Sequence, residues 1–359
     1  MKIIVLTGGL NPERDVALSS GAGICRSLLE KGHDAFLLDV YLGLPKVPDN
    51  LEDVFKLPGN GLEIASAVSE NEPDLDAIRK LRSGDSTSFF GPHVIELCRL
   101  ADIVFMALHG GEGENGKIQA AFDLSGIRYT GSNHLSCAIA MNKGISKELF
   151  LSSGINTPKG ILINKDEPLP LLEELDLNLP LVVKPCNGGS SIGTYIIHSE
   201  DEYHPSINKS FKYEDSLIIE EFIHGREFSC GVLGDKVLLP IEIIPSDGFF
   251  DYVNKYQKGM AVEICPAQLD FETTKRMQEA TLKAYGALRL NVYGRADFML
   301  DEEGNLYCLE LNTLPGMTPN SLFPREAMAI GVDFGTLCEK IIEISLREKY
   351  DTCSEKCTR

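Results

Sequence analysis

The sequence predicts a mixed α/β protein, α+β in its later parts, that opens on a parallel sheet. Three observations carry this. Short β-branched runs alternate with helical periodicity over residues 1–130, glycine-rich loops follow two of those runs, and two strands of alternating polarity face each other near residues 294–312. At 359 residues, and about 150 per domain, two or three domains are expected.

KIIVLT reads as the first strand, GGLNPER as a loop, and Ala17, Gly21, Ile24 and Leu28 recur at helical spacing until Gly32 stops the helix. AFLLDV is a second strand. Residues 42–90 are rich in Pro, Gly and charge and read as a surface insertion with at most a turn or two of helix. ADIVFMAL resumes as a strand, leading through HGGEGENG into a helix from Lys117. Both glycine-rich loops fall at the carboxyl ends of strands, where parallel sheets place their ligands.

The pattern changes near Gly131. One continuous helix is expected across Ser136–Ser153, then the strand LPLVVKP, the loop CNGGSSIG, and the strands TYIIHS and LIIEEFI. A further section starts near Arg226, with strands EFSCGVLG and KVLLPIEII turning at Gly234-Asp235. Met277, Ala280, Ala284 and Leu288 mark one helix, and Phe334, Leu337, Ile341 and Ile344 the last. The divisions expected are 1–130, 131–225, 226–348 and a polar tail 349–359.

Lys plus Arg number 34 against 53 Asp plus Glu, a net charge of −19. Such a chain repels nucleic-acid backbones and anionic membranes, so any phosphate it binds needs a local cluster of donors. No apolar stretch approaches the roughly 18 residues of a membrane helix, and the N-terminus reaches charge too soon for a signal peptide. The ten cysteines are scattered, without a CxxC pair, which suits reduced thiols in a cytoplasmic protein.

The segment GRADFML-DEEG-NLYCLELN fixes its own register. Ala296, Phe298 and Leu300 alternate with Arg295, Asp297 and Met299, and Leu309 and Leu311 with Glu310 and Asn312. An even loop such as Glu302–Asn305 sets Asp297 opposite Glu310 and Arg295 opposite Asn312. Facing carboxylates about 5 Å apart repel. A divalent cation removes the conflict, and two carboxylates with an amide oxygen suit Mg²⁺; a solvated charged face explains the pattern as well. Arg295 beside the pair favours chemistry, since a guanidinium there stabilises developing charge. Lys184 ahead of CNGGSSIG, a loop able to aim N–H groups at an anion, Lys143 on a helix, and Glu227 near a strand end complete the parts for binding Mg-ATP and transferring its γ-phosphate.

With those parts in order, GGLNPERDVALSSG, FMALHGGEGENG, AMNK, VVKPCNGGSSIG, IIEEF, GFFDYVNKY, EICPA, GRADFMLD and LELNTLPGMTPNSLFP together resemble the D-alanine–D-alanine ligases of the ATP-grasp superfamily over nearly the whole chain. The resemblance implies a three-domain ATP-grasp architecture with ATP between the central and C-terminal domains. It implies that Glu13 holds the amino group of the first D-alanine, in a network with Ser190 and Tyr256, with Val16 and His109 beside it. Lys143, Lys184 and Lys255 would contact phosphates, Ser191 would belong to the nucleotide site, Glu220, Glu221, Phe222 and Ile223 would line the adenine pocket, and Glu227 would meet the ribose. Asp297, Glu310 and Asn312 would bind Mg²⁺ (or Mn²⁺), two ions with ATP present. Arg295 would stabilise the acyl-phosphate and tetrahedral species, and Gly316, Ser321 and Leu322 would receive the second substrate. A homodimer and a mobile loop over 246–262 are also implied.

Two positions bear on the nucleophile. Tyr256 goes in this family with an amine rather than D-lactate, and the apolar Leu322 with a methyl group rather than D-serine. A D-serine or D-lactate ligase on the same scaffold is the alternative, and a non-catalytic nucleotide binder a more distant one. Cys186-Asn187, VNKY, Leu311 and the length of 42–90 depart from the family's usual pattern.

Overall fold

The computed structural model describes residues 1–64, 73–82, 87–189, 191–245 and 261–351. The first sheet is parallel, in the order β2-β1-β3, with β1 (Lys2–Thr7), β2 (Asp34–Asp39) and β3 (Ile103–Met106). Its strands are buried almost end to end, as both faces are covered. Helix α1 (Arg14–Glu30) follows a turn in which Gly8 has φ +76°; a Cβ there would meet Asp39 Oδ2 at 2.5 Å, so only glycine fits. Arg14 pairs with Asp39 across this turn. The stretch after β2 holds short 3₁₀ turns and α2 (Leu75–Leu81), with Val54 and Phe55 tucked into the core. Helix α3 (Val94–Leu100) leads into β3, and α4 (Gly111–Glu114) and α5 (Lys117–Ser125) follow it.

The helix expected across Ser136–Ser153 is two: α6 (His134–Met141) and α7 (Lys143–Ser152). Asn142 divides them. Its backbone is extended and its side chain accepts from Ile145 N, capping α7.

The second sheet is antiparallel, ordered β4-β7-β5-β6, from β4 (Gly160–Asn164), β5 (Leu181–Pro185), β6 (Tyr195–Ile197) and β7 (Ser216–Glu221), with α8 (Glu200–Ser210) against β5 and β6. The third runs β11-β10-β8-β12-β13, with β9 on β8: β8 (Arg226–Leu233), β9 (Lys236–Val237), β10 (Ile241–Pro245), β11 (Ala261–Ile264), β12 (Tyr293–Leu300) and β13 (Leu306–Asn312). The strand read from KVLLPIEII is broken, because Pro240 has no N–H to continue the ladder. Helix α9 (Phe271–Ala287) packs Met277 and Ala284 onto this sheet.

Helix α10 (Leu322–Ala329) lies on β8, and α11 (Phe334–Ser345) returns to pack on α1, so the last helix shares one core with the first sheet. Eight cysteines are described, all free, and seven of them are buried. Among the described residues no helix is long and apolar enough to cross a membrane.

Candidate active site

The hairpin of β12 and β13 has the predicted pairing where it matters: Arg295 faces Asn312 and Asp297 faces Glu310. The connection differs. Leu300 pairs with Leu306, so five residues rather than four make the loop, and a bulge between Asp297 and Phe298 absorbs the odd residue. Leu309 is the residue it leaves over. It lines the cavity described below instead of joining the core beside Leu311.

Cations meet both facing carboxylates. Arg295 Nε and Nη2 donate to Asp297 Oδ1 and Oδ2, each at 2.9 Å, and Asn312 Nδ2 donates to Oδ2 at 2.9 Å. Ser229 donates to Oδ1 as well. Lys143 Nζ lies 3.1 Å from Glu310 Oε2. Burial works against both cations, but Asp297 holds the Arg295 guanidinium, and Glu310 the Lys143 ammonium, above their ordinary pKa. The conflict expected to need a divalent ion is thus met by protein groups here. As a donor set, two carboxylates and an amide oxygen still fit a hard cation.

A cavity of about 460 Å³ opens between the second and third sheets. Lys143, Lys184, Ser191, Glu220, Glu221, Phe222, Ile223, Glu227, Asp297 and Glu310 all line it, so sequence-distant residues converge on one space. Val182, Met299, Leu309 and Ile244 give it apolar walls, which the sequence reading did not single out. For Val182 and Met299 the signal is the strand face shared with Lys184 and Asp297, two residues away, whereas Leu309 reaches the cavity only through the bulge. Gly188, Gly189 and Ser191 form one rim, with Ser191 at φ +59°.

The carboxylates named for the adenine pocket line the cavity and also hold neighbouring groups. Glu220 is 3% exposed and takes Lys184 at 2.5 Å on one oxygen and Lys147 at 2.8 Å on the other. Burial raises its pKa, but the two ammoniums together bring it below the ordinary value. Glu221 Oε1 accepts from the backbone N–H and side-chain amide of Asn178, at 3.0 and 2.9 Å. The departures from the family pattern are tied into the same wall: Cys186 Sγ donates to Asn142 Oδ1 at 3.3 Å, and Asn187 N donates to Glu214 at 2.7 Å.

Glu13, at the start of α1, meets the glycine rim: a Cβ at Gly189 would lie 3.2 Å from Glu13 Oε2. His109 is 6% exposed; Nε2 is 3.1 Å from Ser20 Oγ and Nδ1 is 3.2 Å from Leu314 O. Burial lowers its pKa, keeping the ring neutral. Glu114, absent from the predicted set, accepts from Gly110 N at 2.7 Å and Leu314 N at 3.3 Å. Burial, then Glu13, pushes its carboxyl up to about 8. His109 and Glu114 therefore grip both backbone groups of Leu314, two residues beyond Asn312. Val16 is buried on α1. Farther along, Ser321 Oγ lies 2.7 Å from Thr318 Oγ1 and would be 3.0 Å from a Cβ at Gly316, with Leu322 opening α10 beside it. Ser190, Lys255, Tyr256 and all but the last two residues of the loop expected over 246–262 lie outside the described residues.

The family description for the N-terminus of D-ala D-ala ligases matches residues 2–132, and that for the C-terminus matches residues 152–343. The chain belongs to the D-alanine–D-alanine ligase family. It is 42% identical to the D-alanine–D-alanine ligase of Pediococcus pentosaceus, over 98% of this chain and 99% of the relative. It is likewise 42% identical to that of Lacticaseibacillus casei, over 99% and 98%. Among solved structures it resembles a Bacillus anthracis D-alanine–D-alanine ligase complexed with ATP, at TM-score 0.75 and 30% identity over 99% of both chains. VanG D-Ala:D-Ser ligase from Enterococcus faecalis matches at TM-score 0.75 and 29% identity, over 96% of this chain and 99% of that one. The ATP-grasp fold expected from the motifs is thus the fold of the family.

Proposed function

We infer that this chain joins two D-alanines into D-alanyl-D-alanine, with ATP converted to ADP and phosphate, for peptidoglycan precursor synthesis. The observation that carries it is the convergence of these residues on one cavity. Two lysines, a glycine rim and apolar walls face a carboxylate hairpin there, with Glu13 abutting the same rim. Full-length likeness to ligases for D-alanine favours it over a D-serine ligase, as does the apolar Leu322.

Glu13 takes the ammonium of the first D-alanine and leaves its carboxylate free to attack the γ-phosphorus. An O–P bond forms, the bond to the ADP oxygen breaks, and an acyl phosphate results. A free carboxylate is a poor electrophile; the acyl phosphate is not. The second D-alanine, its carboxylate at Ser321 and its methyl by Leu322, attacks the carbonyl through its deprotonated amine. The C–N bond forms, phosphate leaves with the C–O electron pair, and the surplus N–H proton goes to that phosphate. Arg295 stabilises the negative charge of the tetrahedral species, as a fixed guanidinium in a largely buried site does well. Lys143, Lys184 and Lys255 hold phosphate oxygens, Ser191 the loop around them, and Glu227 the ribose. Ser190 and Tyr256 complete the Glu13 network. Asp297, Glu310 and Asn312 would hold Mg²⁺, which neutralises phosphate charge when bound. The reading carries with it three domains divided near 130 and 225, a cytoplasmic location, and a homodimer.

The test is phosphate release from purified protein with ATP and, in turn, D-alanine, D-serine, D-lactate and L-alanine, with product mass read alongside. D-alanine alone should give sustained release and a dipeptide mass. A dominant D-alanyl-D-serine or depsipeptide product, or ATP binding without D-alanine-dependent phosphate, would reject the reading.

A further inference from the structure

Lys147 sits one helical turn beyond Lys143 on α7, so both ammoniums leave the same face of the helix. Lys143 lines the nucleotide cavity, whereas Lys147 lies behind its wall, 8% exposed. Its Nζ donates to Thr157 Oγ1 at 2.6 Å and lies 2.8 Å from Glu220 Oε2. The other oxygen of Glu220 holds Lys184 at 2.5 Å. One buried carboxylate thus serves two ammoniums, Lys147 buried and Lys184 half-buried, and only Lys184 reaches the cavity.

The arrangement matters because Lys184 has two claims on it. If it stays on Glu220, it cannot meet a phosphate. If it leaves, Glu220 would be a buried charge without a counterion, unless another cation remains. Lys147 is that cation, and Thr157 anchors it away from the cavity. We propose that Lys147 is a positioning residue that retains Glu220 as its ion-pair partner, freeing Lys184 to transfer to the nucleotide's phosphates. The proposal rests on the reading that Lys184 is a phosphate ligand. Without Lys147, Lys184 is the only ion-pair partner of Glu220 among the described residues, and every ATP must compete with that carboxylate for it.

The test is a double-mutant cycle on the full chain, reading KM for ATP and kcat at saturating D-alanine. Lys147→Met should raise KM for ATP about tenfold or more, with kcat changed by less than about threefold. In a Glu220→Gln background the same substitution should leave KM for ATP within about twofold, because the competing carboxylate is gone. A packing role would act equally in both backgrounds, and that result overturns the proposal, as does an unchanged KM in the single variant. Lys184→Ala separates the two readings. If it raises KM for ATP while Lys147→Met does not, only the role of Lys147 fails; if it leaves ATP binding intact, the phosphate role of Lys184 fails and the proposal with it. Should Lys147→Met not fold, a structure of the wild-type protein with a non-hydrolysable ATP analogue decides. Lys147 should remain on Glu220 with Lys184 withdrawn to phosphate, and Lys184 still paired to Glu220 overturns the inference.

Discussion

Asp297 shows how much one side chain of this site is asked to hold. Arg295 takes both its oxygens, Asn312 and Ser229 one each, and Glu310 stands opposite across the ladder. Neutralising it removes the charge that fixes Arg295 but leaves an oxygen for Ser229, so chemistry should suffer more than folding. We expect Asp297→Asn, and likewise Arg295→Ala, to cut D-alanine-dependent phosphate release at least about a hundredfold while thermal melting still shows a cooperative fold. Near-normal release from either variant would contradict the assigned roles. Glu114 makes a second prediction. Its carboxyl titrates from about 8 in the folded chain but near 4.5 in the unfolded one, burial being the first cause and Glu13 the second. Between those values the folded state binds the extra proton, so this residue's contribution to stability falls as pH rises. Glu114→Gln has no such slope. Its melting temperature relative to wild type should climb from pH 5 to pH 8, and a constant difference across that range would show that Glu114 is not held protonated.

At the scale of elements, the features legible in advance were those set by side-chain alternation or a turn residue. The first sheet, α1 ending near Gly32, the Gly234-Asp235 hairpin and the Asp297–Glu310 pairing all follow from such local signals. Three others depend on contacts the sequence does not display. The bulge at Leu309 satisfies the loop and the ligand end of the hairpin at once, and alternation alone gives only one of these. Lys147 and Glu220 are 73 positions apart and look like surface charges until the second sheet sets them against α7. Asn142 sits in an apolar-periodic run that reads as one helix, yet its amide caps α7 and accepts from Cys186, so tertiary bonding breaks the helix there. That gives a prediction belonging to α7 itself. Asn142→Ala should cost about 1 kcal/mol, the worth of a typical N-cap. Calorimetry should find the transition lowered by about 2–4 °C. KM for ATP should rise too, because Lys143 is the first residue of the frayed turn. An unchanged melting temperature would mean the cap contributes nothing.

For the whole molecule, the end of the chain closes on its beginning. α11 packs on α1, and the turn beyond it, Leu346–Asp351, lays Lys349 and Tyr350 against the segment that follows α5. Lys349 Nζ donates to Tyr129 O at 3.1 Å and Gly131 O at 3.0 Å, over the Tyr129 ring, and Tyr129 N donates to Tyr350 Oη at 2.9 Å. Read as sequence, these residues resemble a polar tail; the carbonyls that receive them lie more than two hundred positions away. Burial lowers the Lys349 pKa to about 7 from an ordinary 10.5, although Asp123 and Cys137 act in the opposite direction. Below about 7 the folded chain carries the full penalty of a buried ammonium. From there to 10.5 the unfolded chain binds more protons, so stability from this residue rises with pH. An uncharged amine keeps its hydrogen bonds to the two carbonyls without that penalty, whereas a methionine has neither. Lys349→Met should therefore compare best with wild type near pH 6 and progressively worse toward pH 9, read as the difference in melting temperature at each pH. A difference that stays flat would mean the ammonium is charged throughout, held by the carbonyls and the tyrosine ring strongly enough to outweigh its burial.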